Sequence, residues 1–353
     1  MNEKLLFLWS AMNPRPRVLI TGFEPFGGHA TNVSQMVAKR FDGVRSIQCP
    51  WTHQSVELEV EFDVLSVDKN GAEATAHRIR EGKRWDAVLH LGLCETCVEP
   101  RFELLAHDWL DMRLPDNQGR QVSKQPIDGE GHRGCWLDLS LWEKERFPLN
   151  YTLSFDAGAY LCNETYHATL KALCLHGHPS HMPSPALFLH LPSEEKMSVN
   201  IAVEFVEACL GYMLRPYPQS PQHVVAACLL DGDRVLVTQR GTNQSDPGCW
   251  EFPGGKCEEG ESWSEALVRE IHEELTLDVD AKFPLGSWYR ERGADAYVIH
   301  LVSAELVGTK QDIQLSVHQS AEWISTAQQT SRTWAGRDDE MAAFLHEAFR
   351  PMS

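Results

Sequence analysis

Trp250-Glu251-Phe252-Pro253-Gly254-Gly255-Lys256, followed by Glu261 and then by Arg269-Glu270-Ile271-His272-Glu273-Glu274, is the most specific stretch of the 353-residue chain. Ser262 with Glu265 makes a capping box, so the spacing predicts a helix that begins near Trp263. Once helical, Glu270, Glu273 and Glu274 stand at i, i+3 and i+4 on one face, and Leu267, Ile271 and Leu275 share the neighbouring face. Three clustered carboxylates repel one another in a bare helix by roughly a few tenths of a kcal/mol per pair. A cation turns that cost into a site. Oxygen-only donors suit Mg²⁺ or Mn²⁺, ions that usually act jointly with substrate phosphates. Ahead of this stretch, His223 to Leu230 and Arg234 to Gln239 read as two strands joined by Asp231-Gly232-Asp233, a strong hairpin signal.

The hairpin is preceded by Arg215-Pro216-Tyr217-Pro218-Gln219-Ser220-Pro221, whose three prolines break helix and sheet alike and mark a domain boundary. Upstream, short apolar runs (Arg17 to Thr21, Asp86 to Leu93, Tyr151 to Phe155, Ala186 to Leu191) alternate with helical patterns such as Val33 to Phe41 and Tyr160 to Leu175. Continuous apolar strands between helices imply an α/β domain, a mostly parallel sheet with helices on both faces. Residues 196 to 213 read as its closing amphipathic helix. The expected plan is a loose extension over 1–16, an α/β domain over 17–213, a proline-rich linker over 214–222 and an α+β domain over 223–353. About 150 residues per domain gives the same count of two.

Composition limits the partners. With 42% hydrophobic and 23% charged residues, the chain is ordinary globular protein and excludes long disorder, collagen and coiled coil. Its 32 Lys plus Arg against 50 Asp plus Glu leave a net charge of −18, which excludes an extended nucleic-acid or anionic-membrane surface. A small nucleotide bridged by a divalent cation is still admitted. Ten cysteines, several inside apolar runs such as Ala226-Ala227-Cys228-Leu229, read as thiols of a reducing, cytoplasmic compartment. No run reaches the length of a membrane span. The apolar Leu5 to Met12 runs into Asn-Pro-Arg-Pro-Arg without a cleavage site, so it reads as part of the extension, with Met12 an alternative start.

Three chemistry-bearing segments stand in the first domain. Thr21-Gly22-Phe23-Glu24-Pro25-Phe26-Gly27-Gly28 follows the first strand, where an α/β sheet places its crevice. Ala157-Gly158-Ala159-Tyr160-Leu161-Cys162-Asn163 lies at a strand-to-helix turn, and Leu187-Phe188-Leu189-His190-Leu191-Pro192 ends a buried strand. A cysteine at a helix N-terminus has its thiolate favoured, and a nearby histidine can take its proton, so Cys162 and His190 are the parts of a cysteine nucleophile. Cys94 and Cys97 form a lone Cys-x-x-Cys with no second pair, and neither metal nor redox function is expected of it. Cys174, His176, His178 and His181 lie in a Pro/Gly-rich loop and read as solvated rather than as a metal site.

The C-terminal half resembles MutT-type Nudix hydrolases over roughly residues 222 to 350. Gly255, five residues, Glu261, seven residues, Arg269-Glu270 and Glu273-Glu274 are similar to the Nudix box, and Val235-Leu236-Val237-Thr238-Gln239-Arg240 extends the likeness. The resemblance implies an α-β-α sandwich with a mixed sheet. It places Gly255, Glu270, Glu273 and Glu274 on Mg²⁺ (or Mn²⁺), and Arg240 and Asp338 on the nucleotide, with Asp339 the neighbouring alternative to Asp338. The implied reaction is hydrolysis of a nucleoside triphosphate, oxidised ones such as 8-oxo-dGTP included, to monophosphate and pyrophosphate. Two positions depart from the pattern. Thr276 replaces the glycine that ends the box, so a turn with positive φ is made by a strained residue or avoided. Val317 stands where a further metal-side glutamate belongs, leaving His318 or Glu322 to substitute or the role empty.

The N-terminal half resembles pyroglutamyl peptidase I over about residues 17 to 213. Arg101-Phe102-Glu103 through Arg113-Leu114-Pro115-Asp116-Asn117-Gln118-Gly119 is similar to a segment of that family. The resemblance implies a phosphorylase/peptidyl-hydrolase-like fold that needs no cofactor, with Cys162 as nucleophile, His190 as general base and acid, and Glu103 orienting the imidazole. Arg113 would assist at the oxyanion, and Phe23 and Phe26 would wall the lactam ring of an N-terminal pyroglutamyl peptide. A homo-oligomer through this half is the protein partner it implies. The departure is Gly92-Leu93-Cys94-Glu95-Thr96-Cys97, where Leu93 replaces a lactam-binding glutamine and Glu95 and Thr96 replace glycines; a site built to hydrogen-bond a lactam loses discrimination when a polar partner becomes apolar. The expectation is a bifunctional cytoplasmic hydrolase. Its rivals are an N-terminal half weakened to a binding scaffold, and a Nudix half that reads bases without hydrolysis.

Overall fold

Three apolar runs without alternation become the centre of a sheet, because strands covered on both faces have no solvent side to leave polar. In the computed structural model, which describes residues 15–176, 183–216, 221–292, 295–308, 312–326 and 332–349, the chain divides into two compact units, Met1–Ser220 and Pro221–Ser353. The first unit carries β1 (Arg17–Phe23), β2 (Gly43–Gln48), β3 (Ser55–Leu65), β4 (Ala87–Cys94), β5 (Arg101–Glu103), the small pair β6 (Leu105–Ala106) and β7 (Arg133–Gly134), β8 (Thr152–Ser154) and β9 (Ala186–Pro192). Among the described residues its main sheet runs β2-β3-β1-β4-β9-β5-β8. β3, β1, β4 and β9 are mutually parallel, and β2 and β5 enter antiparallel. Its helices are α1 (Val33–Ala38), α2 (Lys69–Arg80), α3 (Leu161–His176) and α4 (Val199–Met213), which pack as the pairs α1 with α4 and α2 with α3.

Every residue of β9 is buried, as is all of β1 beyond Arg17. β3 is different: Leu58 and Val60 turn inward while Glu57 and Glu59 face solvent, so its acid-rich sequence conceals a strand of period two. Residues 15 and 16, expected in a loose extension, are laid against it, with Arg15 paired to Glu57 at 2.7 Å and Pro16 O accepting from Glu59 N at 2.8 Å. The rest of that extension lies outside the described residues. No helix among the described residues is long and apolar enough to cross a membrane.

The second unit holds β10 (Gln222–Asp231), β11 (Arg234–Arg240), β12 (Trp250–Glu251), β13 (Gly254–Lys256), α5 (Trp263–Leu275), β14 (Val279–Arg292), β15 (Asp295–Leu306), β16 (His318–Ser325) and α6 (Asp338–Ala348). The expected hairpin joins β10 and β11, with Asp231 opposite Arg234. The sheet is mixed, since β10 is parallel to β15 and antiparallel to β11 and β13. α5 begins at Trp263 behind the expected capping box: Glu265 N donates to Ser262 Oγ at 3.3 Å, and Ser262 N donates to Glu265 Oε2 at 2.9 Å. Leu267, Ile271 and Leu275 are completely buried against Val225, Leu229, Leu236 and Val302, at about 1.5–3 kcal/mol for each such side chain. That packing fixes the neighbouring, carboxylate face over β13.

α5 ends on Thr276, which takes the left-handed conformation at φ 56° and ψ 36°. The positive φ that departure from glycine put in question is therefore made, by an exposed β-branched residue. Left-handed backbone costs a non-glycine residue roughly 1–2 kcal/mol, and the added freedom of an unfolded glycine returns only part of that. Thr276→Gly is expected to stabilise the second unit by about 0.5–1 kcal/mol, read as a higher urea midpoint with unchanged slope. A lower midpoint would mean that the Thr276 side chain does something at this cap beyond bearing strain.

Candidate active sites

The first site lies at the ends of β4 and β9, where an open α/β sheet leaves its crevice. His190 of β9 stands across from Gly92 of β4 on one side and Arg101 of β5 on the other. A Cβ on residue 92 would sit 2.7 Å from the Phe188 ring and 2.9 Å from His190 Cδ2, so only glycine lets both rings lie against β4. His190 Nδ1 is 2.7 Å from Glu103 Oε1, and Arg101 Nε donates to that same oxygen at 2.7 Å. Glu103 is completely buried, and the guanidinium offsets part of the cost of holding its charge there. Cys162, the second residue of α3, is half-buried and lies close enough to the His190 side chain to shift its protonation. Burial pulls the His190 imidazole down, but Cys162 and Glu103 outweigh it and push it up to about 9. A helix N-terminus beside an imidazolium is the setting in which a cysteine acts as nucleophile.

Glu103, Cys162 and His190 are thus brought together from segments far apart in the chain. Phe23 is buried with its ring 6.4 Å from that of Phe188, which lies 4.8 Å from His190. Phe26 is 6.3 Å from Tyr160, two residues ahead of Cys162. Leu93 is half-buried next to Gly92. Arg113 behaves otherwise: it is exposed, and among the described residues its guanidinium has no hydrogen bond to the triad. The arginine that reaches α3 is Arg120, which the sequence did not single out. It pairs with Asp116 at 3.0 Å and with both oxygens of Glu164 at 2.8 and 2.5 Å, fastening the Asp116 segment to the helix that carries Cys162. Asn163 does the same on the other side, accepting from His107 N and donating to His107 O, both at 2.8 Å. Cys94 and Cys97, of which no redox role was expected, are joined by a disulfide, and the other eight cysteines are free.

Of the Cys174, His176, His178 and His181 group, Cys174 is half-buried, His176 is exposed, and His178 and His181 lie outside the described residues. Asp108, Asp128 and His167 do converge, but Arg133 and Lys171 already pair with Asp128 at 2.9 Å each.

The second site forms where α5 crosses β13. A Cβ on Gly255 would fall 2.3 Å from Glu270 Cδ, so the Glu270 carboxylate occupies the space that this glycine leaves. Glu274 approaches the same loop, accepting from Gly254 N at 3.3 Å. Burial pushes the Glu274 carboxyl up to about 7, with Glu251 and Glu270 adding to the rise and His318 opposing it. Glu273 stands further out, 59% exposed, with Arg269 Nη1 at 3.4 Å. Arg269 ties the assembly together by donating to Glu261 at 2.8 and 2.9 Å and to Lys256 O at 3.0 Å. The donor set is all oxygen, from carboxylates crowded at a cost that a divalent cation would remove, and so it fits Mg²⁺ or Mn²⁺.

Beside it opens a cavity of about 390 Å³ whose lining includes Arg240, Glu251, Phe252, Glu274, Tyr297 and Asp338. Asp338 starts α6 and accepts from Phe252 N at 2.8 Å; burial pushes its carboxyl up to about 8. Asp339 is exposed, and of the two neighbours it is Asp338 that lines the cavity. Arg240 lines the cavity, yet its guanidinium is spent on Glu251 and Ser245. Val317 is exposed, and Glu322 points away to pair with Arg332 at 2.6 Å. His318 turns inward instead, with Nε2 3.0 Å from Glu251 Oε1. Glu251, from the Trp-Glu-Phe-Pro-Gly-Gly-Lys run, links Arg240 and His318 beside Glu274.

Residues 16–202 match the family described as Pyroglutamyl peptidase, and residues 220–344 match the NUDIX domain. The pyrrolidone-carboxylate peptidase of Thermococcus litoralis is 31% identical over 188 residues, 52% of this chain and 80% of that protein. That of Deinococcus radiodurans is 27% identical over 235 residues, 65% of this chain and 98% of that protein. The solved structure of the Thermococcus litoralis pyrrolidone carboxyl peptidase is 26% identical, covers 58% of this chain and 99% of that one, and has a TM-score of 0.49. With the Glu103-His190-Cys162 cluster on one unit and the Glu270-Glu274 face over Gly255 on the other, the chain belongs to the pyroglutamyl peptidase family and carries a NUDIX domain behind its peptidase domain.

Proposed function

We propose that the chain is a cytoplasmic bifunctional hydrolase whose first domain, 17–213, removes N-terminal pyroglutamate from peptides, and whose second, 223–353, cleaves nucleoside triphosphates to monophosphate and pyrophosphate. The observation that carries the first reading is the His190 imidazole held between Cys162 and Glu103. Cys162 Sγ attacks the carbonyl carbon that follows the lactam ring, and His190 hands its proton to the departing amine. Water then hydrolyses the thioester with His190 as base. Glu103, itself held by Arg101, fixes the ring orientation throughout.

In the second domain, Gly255, Glu270, Glu273 and Glu274 would hold a divalent cation, Mg²⁺ or Mn²⁺. When bound, the cation neutralises phosphate charge and makes water a stronger nucleophile. Asp338, protonated at neutral pH by its burial, has a proton to donate as well as an oxygen to accept with, which suits a purine edge and supports oxidised purine triphosphates such as 8-oxo-dGTP as substrates. The full chain should be assayed on a pyroglutamyl fluorophore and on a nucleotide panel, with Mg²⁺ and with EDTA. Turnover of neither class would sink the proposal, and nucleotide turnover in excess EDTA would sink its metal half.

Two predictions bear on the peptidase. His190 must be protonated to serve the leaving amine, so kcat/KM is expected to fall as pH rises through about 9. Glu103 is one of the groups that raise this imidazole; Glu103→Gln should therefore move the alkaline limb to lower pH, and an unmoved limb would separate Glu103 from the titrating group. Leu93 leaves the lactam one hydrogen bond short, so Leu93→Gln is expected to raise pyroglutamyl turnover roughly 5- to 150-fold. Efficient wild-type cleavage that Leu93→Gln leaves unchanged would mean that the loop binds the lactam through its backbone.

A further inference from the structure

We propose that Cys94 and Cys97 form a reversible, redox-active disulfide that sets the width of the entrance to the Cys162 pocket. The bridge is closed by oxidation and opened by a thiol reductant of the glutathione or dithiol-protein class. Its effect on the pocket rests on reading Cys162 as the peptidase nucleophile, whereas the chemistry of the bridge does not.

The bridge closes a four-residue ring at the tip of β4, the strand whose Gly92 stands opposite His190 and whose Cys94 stands opposite Pro192. The ring is therefore a direct extension of the strand that seats the imidazole. Its tip is tied to a neighbouring loop: Glu95 Oε1 is 2.5 Å from Nε2 of His29, on the loop that also carries Phe26. The Phe26 ring lies 6.3 Å from both His29 and Tyr160, which leads into Cys162. On the other side Lys196 Nζ donates to Glu95 O at 2.6 Å and to Cys97 O at 3.0 Å. While the bridge is closed, Glu95 is held within reach of both ties. Opening it returns backbone freedom to residues 95–97, at the positions where Glu95 meets His29.

The two sulfurs are unequal in a way that gives the reduction a direction. Cys94 is 8% exposed, whereas Cys97 is half-buried behind the exposed Glu95 and Thr96. An incoming thiolate reaches Cys97 Sγ, forms a new S–S bond there, and breaks the bond to Cys94, which leaves with the electron pair as a thiolate. That thiolate is already provided for, since Cys97 N donates to Cys94 Sγ at 3.2 Å. A second thiolate resolves the mixed disulfide and frees Cys97. Two electrons and two protons are taken up, and two reductant thiols leave as one disulfide. In a reducing compartment such bridges are transient, and they serve sensing or catalysis rather than folding.

The test equilibrates the full-length protein in glutathione buffers of graded poise and reads it three ways: differential alkylation of Cys94 and Cys97 by mass spectrometry, the iodoacetamide labelling rate of Cys162, and KM for a pyroglutamyl fluorophore. The bridged fraction is expected to pass from complete to absent within the series. The open form should show a KM about threefold or more higher and faster labelling of Cys162 than the bridged form, as expected when an ordered loop is released. Cys97→Ser, and independently Cys94→Ala, should hold the open-form values at every poise. Free thiols at 94 and 97 in the most oxidising buffer, or a bridge that survives the most reducing one, would overturn redox activity. A bridge that titrates while KM and Cys162 labelling stay constant would overturn its role at the entrance. If no pyroglutamyl substrate is turned over, the peptidase reading has failed, and the alkylation of Cys94, Cys97 and Cys162 still decides this one.

Discussion

Cys162→Ala is expected to abolish pyroglutamyl cleavage, lowering kcat by at least about 10⁴-fold, because a covalent route loses its nucleophile and His190 and Glu103 have nothing left to act on. The change removes one sulfur from a half-buried position at the start of α3, so folding should be preserved. Asn163 and Glu164, which fasten that turn through His107 and Arg120, are untouched. Cys174→Ala on the same helix is the control, since Cys174 is half-buried and far along the helix from the triad; it should cleave at the wild-type rate. A Cys162→Ala protein that retains more than about one part in a hundred of wild-type turnover would show that another group attacks the carbonyl. Nucleotide hydrolysis by the same variant should be unchanged, because the carboxylate face over Gly255 belongs to the other compact unit.

What could be read in the sequence followed from how local the determinants are. The α5 face was legible because a helix puts residues 270 and 274 together by its own geometry, and the glycine that Glu270 needs lies in the adjoining loop. The peptidase triad is not local, and composition alone would not have joined residues 103, 162 and 190; only resemblance did so. Resemblance gave the type of residue but not its environment. Arg120 carries no such resemblance, and its partners Asp116 and Glu164 lie 4 and 44 positions away, out of reach of any local pattern. β3 does not read as a strand in the sequence because its solvent face is nearly all acid. The Val317 question could not be settled either, because the strand alternation that turns His318 inward and Val317 out depends on where β16 begins pairing with β11. The lack of a second pair beside Cys94 and Cys97 bears on metal sites and says nothing of whether two thiols are near enough to bond, as these are.

Glu274→Gln is expected to lower nucleotide hydrolysis by about 10²- to 10⁴-fold without lowering the stability of the metal-free protein, and both halves of that statement come from one arrangement. Glu274 is pressed among Glu251, Glu270 and the turn that carries Gly254, and burial there pushes its carboxyl up to about 7, which measures how unfavourable its charge is without a cation. Glutamine keeps an oxygen to accept from Gly254 N and removes the charge, so a chemical melt in EDTA should show an equal or higher midpoint. In Mg²⁺ the ranking reverses. The wild type gains stability as the cation binds its folded state, by RT ln(1 + [Mg²⁺]/Kd), and the variant gains less. Glu273 is 59% exposed, and Glu273→Gln should shift the metal-free midpoint less than Glu274→Gln does. If Glu274→Gln destabilises the metal-free protein, its carboxylate is a structural anchor for the Gly254 turn. If it turns over nucleotide within tenfold of wild type, Glu274 is not a metal ligand and Glu270 with Glu273 must suffice.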